Sequence, residues 1–139
     1  MTYDDYRTFI EVTEGSNPGQ GQNTGNNSIP TKSINDLPKN VQDAYNKYSK
    51  SGWKGNVSGQ TDGTRAGKSY GNDNNKLPTT DSSGNPITYK EFDVNNKVPC
   101  DKRDSESFVI GSDGSIYYTD SHYGEITSTS GLPDFVIIK

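Results

Sequence analysis

The chain has 139 residues, 27% of them hydrophobic, a formal net charge of −4 and a mean hydropathy of −0.98. That length holds one compact domain plus a tail and excludes two full domains. No stretch approaches the roughly 18 apolar residues of a membrane span, and the acidic balance argues against a broad basic face that grips nucleic acid.

Residues 1–14 place Tyr3, Tyr6, Phe9 and Ile10 at helical spacing, which predicts a short helix or the remnant of an upstream region. Met1 is not followed by a signal-peptide core, so an exported domain would carry its signal on a larger parent chain. From Gly15 to Ser33 the chain is mostly Gly, Asn, Gln, Ser and Thr. Such a run buries too little surface to offset chain entropy, and residues 15–35 are expected to be a flexible linker. The folded domain is expected over 36–139.

Leu37-Pro38 introduces a helix over Asn40 to Ser51, with Val41, Ala44, Tyr45 and Tyr48 on one face. Pro38 suits a first turn and Gly52 a C-terminal stop; Trp53 should pack the helix on a sheet. Gly55 to Asp73 reads as loop-rich, and Asp81 to Pro86 as a turn cluster. Thr88 to Val94 then alternates as a strand, with Tyr89, Glu91 and Asp93 on one face. Phe108 to Ile110, the turn Ser112-Asp113-Gly114 and Ile116 to Tyr118 form a hairpin signal, and Phe135 to Ile138 closes as a strand. A helix followed by antiparallel strands is the α+β class, with the helix or helices packed on a twisted antiparallel sheet.

Cys100 is the single cysteine, so no intramolecular disulfide can form and packing must hold the fold. His122 is the single histidine. It follows Glu91 and Arg103 in an order that places a carboxylate, a guanidinium and an imidazole along one domain. Those are the groups a general base, an anion-stabilising cation and a general acid require. No cluster of His, Cys, Asp and Glu has the spacing of a nuclease metal site, which disfavours a DNase and implies no cofactor. A Tyr-, Asn- and Gly-rich adhesion or carbohydrate-binding module is the non-catalytic alternative, supported by composition alone. Net charge is −1 over residues 36–123, so a local cationic cleft, not a basic face, would have to meet a polyanion.

The segments Gly52-Trp53, Ala66 to Gly71, Lys76-Leu77-Pro78, Tyr89 to Asn95, Arg103 to Glu106, Ser112 to Thr119 and His122-Tyr123 occur in an order that resembles the barnase-like microbial ribonucleases. The resemblance covers roughly residues 36–123. It implies a barnase-like α+β fold and an RNA-cleaving enzyme with Glu91 as general base, His122 as general acid and Arg103 on the phosphate. Tyr123 would line the site, and Lys68, Lys76, Asn72 and Asn74 are candidate substrate contacts. Asp93 stays open between a partner for Arg103 and a second catalytic acid. RNA supplies its own 2′-hydroxyl nucleophile, so the route needs no metal, and DNA should resist it.

The chain departs from that pattern in three places. The family's helix-borne lysine has no aligned match, with Lys47 and Lys50 off by part of a turn, and Ser107 stands where a second arginine is usual. Lys68, Lys76 and Lys102 are the candidates to compensate. The base-reading loop is shortened to Asn72-Asp73-Asn74-Asn75, so guanine preference is not carried over. Gly124 to Asp134 lengthens the chain before the last strand. The resemblance further implies the toxin domain of a bacterial effector, secreted or delivered from its producer and acting in the target-cell cytoplasm. A cognate immunity protein would then be its partner.

Overall fold

Apolar residues at positions 41, 44, 45 and 48 wind onto one face of a helix, and the computed structural model, which describes residues 29–128 and 130–139, carries that helix as α1 (Lys39–Ser51). Gly52 ends it in the left-handed region (φ 77°), its N–H reaching the carbonyls of Tyr48 and Ser49. A 3-10 turn, Ile34–Asp36, precedes it. The six strands are β1 (Thr31–Lys32), β2 (Ala66–Tyr70), β3 (Tyr89–Asp93), β4 (Ser107–Gly111), β5 (Ile116–Thr119) and β6 (Val136–Ile138).

They form one sheet in the order β1-β6-β5-β4-β3-β2. Neighbours run antiparallel except β1, which pairs parallel to β6 and makes the sheet mixed. The α+β class therefore stands, with one helix among the described residues. Strand alternation divides the sheet into two faces. Phe92, Phe108, Tyr118 and Val136 lie opposite one another in successive strands and make a continuous row. Val41, Ala44 and Tyr48 join that row in the core. Trp53 stacks on Tyr48 at 5.3 Å between centroids and meets Phe92 and Phe108 edge-on, as its position after the helix predicts. The other face carries Glu91, Val109 and Tyr117 in one row and Asp93, Ser107 and Thr119 in the next.

Two expectations need correction. The segment read as loop-rich between Gly55 and Asp73 contains β2, which the glycines mask in a sequence window. Gly67 (φ 87°) sits in a bulge between Ala66 and Lys68, so Ala66 faces Phe92 while Lys68 faces Glu91. The expected linker over 15–35 is also too long at its end. The Pro30 and Lys32 carbonyls accept the N–H groups of Ile137 and Lys139, which makes Thr31–Lys32 an edge strand. The helix expected over 1–14 and the linker up to residue 28 lie outside the described residues. Within the expected 36–139 domain, residues 29–76 and 87–139 form one unit, and Leu77–Pro86 falls in another. Inside that short segment the Asp81 carboxylate accepts the N–H groups of Ser83 and Asn85, each at 2.9 Å.

Burial raises the phenol pKa of Tyr48, Tyr89, Tyr117, Tyr118 and Tyr123 above the ordinary value, and that of Tyr70 to about 12. A raised native pKa contributes stability that is complete below the unfolded value of 10.0 and is lost as pH climbs toward the native value. Thermal melts followed by circular dichroism should therefore hold steady near about pH 8 and fall once pH passes about 10. The Tyr70→Phe variant should fall less steeply between about pH 10 and 12, and a melting temperature flat across that window would refute the linkage.

Candidate active site

Strand alternation sends Glu91 and Asp93 to the same side of β3, away from α1, and both are buried, at 6% and 3% exposure. Two carboxylates so placed require cations and hydrogen-bond donors. Arg103 supplies the first. Its Nε donates to both Asp93 carboxylate oxygens at 3.0 and 2.9 Å, and its Nη2 bridges Asp93 Oδ1 and Glu91 Oε1 at 2.9 and 3.0 Å. The bonds to Asp93 push the Arg103 pKa above the ordinary arginine value, against the opposing effect of its burial. Asp93 is thus the structural partner of Arg103, the first of the two roles its position leaves open.

Glu91 is held from three sides. Tyr123 donates its hydroxyl to Oε1 at 2.6 Å, Arg103 reaches the same oxygen, and Arg65 Nη1 reaches Oε2 at 3.2 Å. Burial first, then the bond to Glu91, pushes the Tyr123 phenol up, which keeps it a donor. Ser107 Oγ lies 3.2 Å from the Tyr123 hydroxyl. Ser107 therefore supports the site through the tyrosine, not through a charge of its own.

His122 and Tyr123 lie in a turn that follows β5, with φ of 51° and 61°, a left-handed conformation that side chains seldom adopt. Hydrogen bonds hold the turn open. His122 N–H donates to the Ser105 carbonyl at 3.0 Å, and Tyr123 N–H to Thr119 Oγ1 at 3.2 Å. His122 Nδ1 lies 2.6 Å from Glu125 Oε1, so Nε2 is the ring nitrogen left for other work.

These groups line one open cleft of about 350 Å³, shared by Arg65, Tyr70, Asn72, Asn74, Glu91, Arg103, His122, Tyr123 and Glu125 among its walls. The cleft gathers the sequence-predicted Glu91, Arg103, His122, Tyr123, Asn72 and Asn74. Asn74 donates its side-chain amide to the Tyr123 carbonyl at 3.1 Å, tying the short loop to the turn. Lys68 and Lys76 are not in the lining. Lys68 is exposed opposite Glu91 in the β2–β3 ladder, and Lys76 pairs with Asp134 at 2.6 Å. Lys102, the third candidate cation, is exposed and also outside it.

Arg65, Tyr70, Gly71, Asp73 and Glu125 also line the cleft and have no role in the sequence reading. Arg65 sits in the run taken for loop, and Glu125 in a segment treated as an insertion. Tyr70 belongs to a quoted motif without a role; its ring lies 4.7 Å from that of Tyr123, tilted by 34°. Among the described residues no group of three or more His, Cys, Asp or Glu side chains is placed to hold a metal ion.

A family model described as ribonuclease matches residues 18–130. Among curated proteins and among solved structures nothing matches the chain.

The Arg103–Asp93 pair sets the stability of this cluster. Removing Asp93 leaves a guanidinium with 16% side-chain exposure without its bidentate partner. Asp93→Ala should lower the unfolding free energy by about 3–5 kcal/mol in urea titrations, and Asp93→Asn by less, since it keeps the shape and one acceptor. Equal stability of Asp93→Ala and the parent chain would refute a structural role for the pair.

Proposed function

The chain belongs to the ribonuclease family and is an endoribonuclease; we propose that it cleaves RNA by transphosphorylation, with Glu91 as base and His122 as acid. The observation that carries this reading is the meeting of Glu91, Arg103 and His122 in one cleft. RNA brings its own nucleophile. Glu91 takes the proton of the 2′-hydroxyl while that oxygen forms a bond to the adjacent phosphorus. The bond from phosphorus to the 5′-oxygen breaks, and His122 Nε2 gives that oxygen a proton. The products are a 2′,3′-cyclic phosphate and a free 5′-hydroxyl, and no metal is needed to make the nucleophile.

Arg103 stabilises charge that grows on the phosphoryl oxygens, an interaction stronger in the transition state than before it. Glu125 holds Nδ1 of His122, which leaves Nε2 as the proton-transfer atom. Tyr70, half-buried and packed on the buried Tyr123, offers a ring on which a base can stack. DNA lacks the 2′-hydroxyl and is not a substrate on this route. The base preference is left unassigned, because the loop at Asn72–Asn75 is short.

We further infer that the enzyme is a toxin domain, secreted or delivered from a producing bacterium into the cytoplasm of a target cell. The Gly- and Asn-rich run from Gly15 to Ser33, of linker composition, and the barnase-like motif order support this. A producer of such an enzyme needs an immunity protein that covers the cleft. Production in a bacterial cytoplasm should arrest growth, and His122→Ala should relieve the arrest; growth unaffected by the parent chain would sink the toxin reading.

Incubation with total RNA in EDTA tests the chemistry directly. The parent chain should yield cyclic phosphate ends, and Glu91→Ala and His122→Ala should each lower the rate by about 10²–10⁴-fold. RNA left intact by the folded parent chain, or cleavage that requires a divalent metal, would rule the mechanism out.

A further inference from the structure

We propose that Arg65 is a second phosphate-binding cation of the cleft, contacting the scissile phosphate beside the carboxylate oxygen that takes the 2′ proton; this rests on reading the cleft as the RNA-cleaving centre. The need is electrostatic. In-line attack turns a singly charged phosphodiester into a species with an additional negative charge, which preorganised donors must meet.

Arg103 is largely committed elsewhere. Its Nε and Nη2 are taken by Asp93, Glu91 and the Tyr123 hydroxyl, which leaves Nη1 as the terminal nitrogen without a partner among the described residues. Arg65 is the reverse. Only Nη1 is engaged, at 3.2 Å from Glu91 Oε2, so Nε and Nη2 lack a partner among the described residues. Its side chain is 40% exposed, against 16% for Arg103, and it lines the cleft. A guanidinium with an unengaged edge can present the paired N–H donors that match phosphate oxygens.

Its position is fixed at the backbone. Arg65 N–H donates to Asp93 Oδ2 and its carbonyl accepts Asp93 N–H, both at 2.7 Å. The same carboxylate therefore aligns both arginines. Glu91 adds direction. Each carboxylate oxygen offers two lone-pair sites, and Oε1 already accepts Tyr123 and Arg103, whereas Oε2 accepts Arg65 alone. The 2′ proton then goes to Oε2, which brings the reacting phosphate against Arg65. The lysines offer no rival, since Lys76 is paired with Asp134 and neither Lys68 nor Lys102 lines the cleft.

The test is calorimetric titration of a 3′-nucleoside monophosphate and of the matching nucleoside into the parent chain, Arg65→Ala and Arg65→Lys. The same titrations are repeated in a Glu91→Gln background. Arg65→Ala should weaken the monophosphate about 10–100-fold and leave the nucleoside unchanged, with Arg65→Lys recovering part of the loss. The loss should persist beside Glu91→Gln, because the contact does not pass through Glu91. On RNA, kcat of Arg65→Ala should drop about 10²-fold. Equal effects on monophosphate and nucleoside, no preference for the monophosphate in the parent chain, or a loss that disappears beside Glu91→Gln would overturn the proposal. A parent chain that leaves RNA intact yet binds the monophosphate through Arg65 would sink the cleavage mechanism and keep the phosphate site. Should Arg65→Ala fail to fold, Arg65→Gln and Arg65→Lys carry the same comparison.

Discussion

Two carboxylates on one face of β3, both buried, are the constraint from which the site follows. Neither Glu91 nor Asp93 tolerates that burial without a cation, and Arg103 answers both through one planar guanidinium. The same requirement draws in Tyr123, whose hydroxyl completes Glu91 Oε1, and the backbone of Arg65, which completes Asp93 Oδ2. The strained turn at His122 and Tyr123 is then a means of carrying a ring and a hydroxyl to where those acids lie. Stability and chemistry thus draw on one ionic cluster. In the proposed role of base, a Glu91 fixed by three donors would need little reorganisation as it reacts.

The hydrophobic core determines where those acids face. Phe92 occupies the helix side of β3, so Glu91 and Asp93 must point to the other. A register slip by one residue would bury Glu91 and Asp93 under α1 and turn Phe92 into the cleft. The row Phe92–Phe108–Tyr118–Val136 makes that slip costly across four strands at once. Packing on one face therefore specifies the geometry of the candidate site on the other.

The elements with strong local patterns were legible in the sequence. The α1 face buries apolar residues at a period that a short window reveals, β3 shows its alternation, and Asp113-Gly114 marks the turn of the β4–β5 hairpin. β2 was not legible, because Gly67 bulges it and its exposed Lys68 and Ser69 hide the strand period. β1 was missed for a different reason. Two residues have no period, and their pairing with β6 is a contact across the whole chain. In the site, Glu91, Arg103 and His122 were accessible through motif order. Arg65 and Glu125 were not, since a hydrogen bond between residues 26 apart, or across a turn of three, leaves no mark on composition. Charge can be read from the sequence and orientation cannot, so Lys68, Lys76 and Lys102 are candidates there although none lines the cleft.

The acidity of the chain bears on how such an enzyme handles a polyanion. Affinity for nucleic acid rises with the number of phosphates a protein neutralises, and a chain of net charge −4 neutralises few. Tight binding of many phosphates would lower the energy of bound substrate and bound transition state alike, which adds nothing to the chemical step once substrate saturates. Here the guanidinium groups lie beside Glu91, and Asp73 and Glu125 also line the cleft. Under the proposed mechanism, attraction would act on the reacting phosphate and the two acids would repel the flanking strand. Such a distribution would favour the reacting phosphate over its neighbours and ease release of the cut ends.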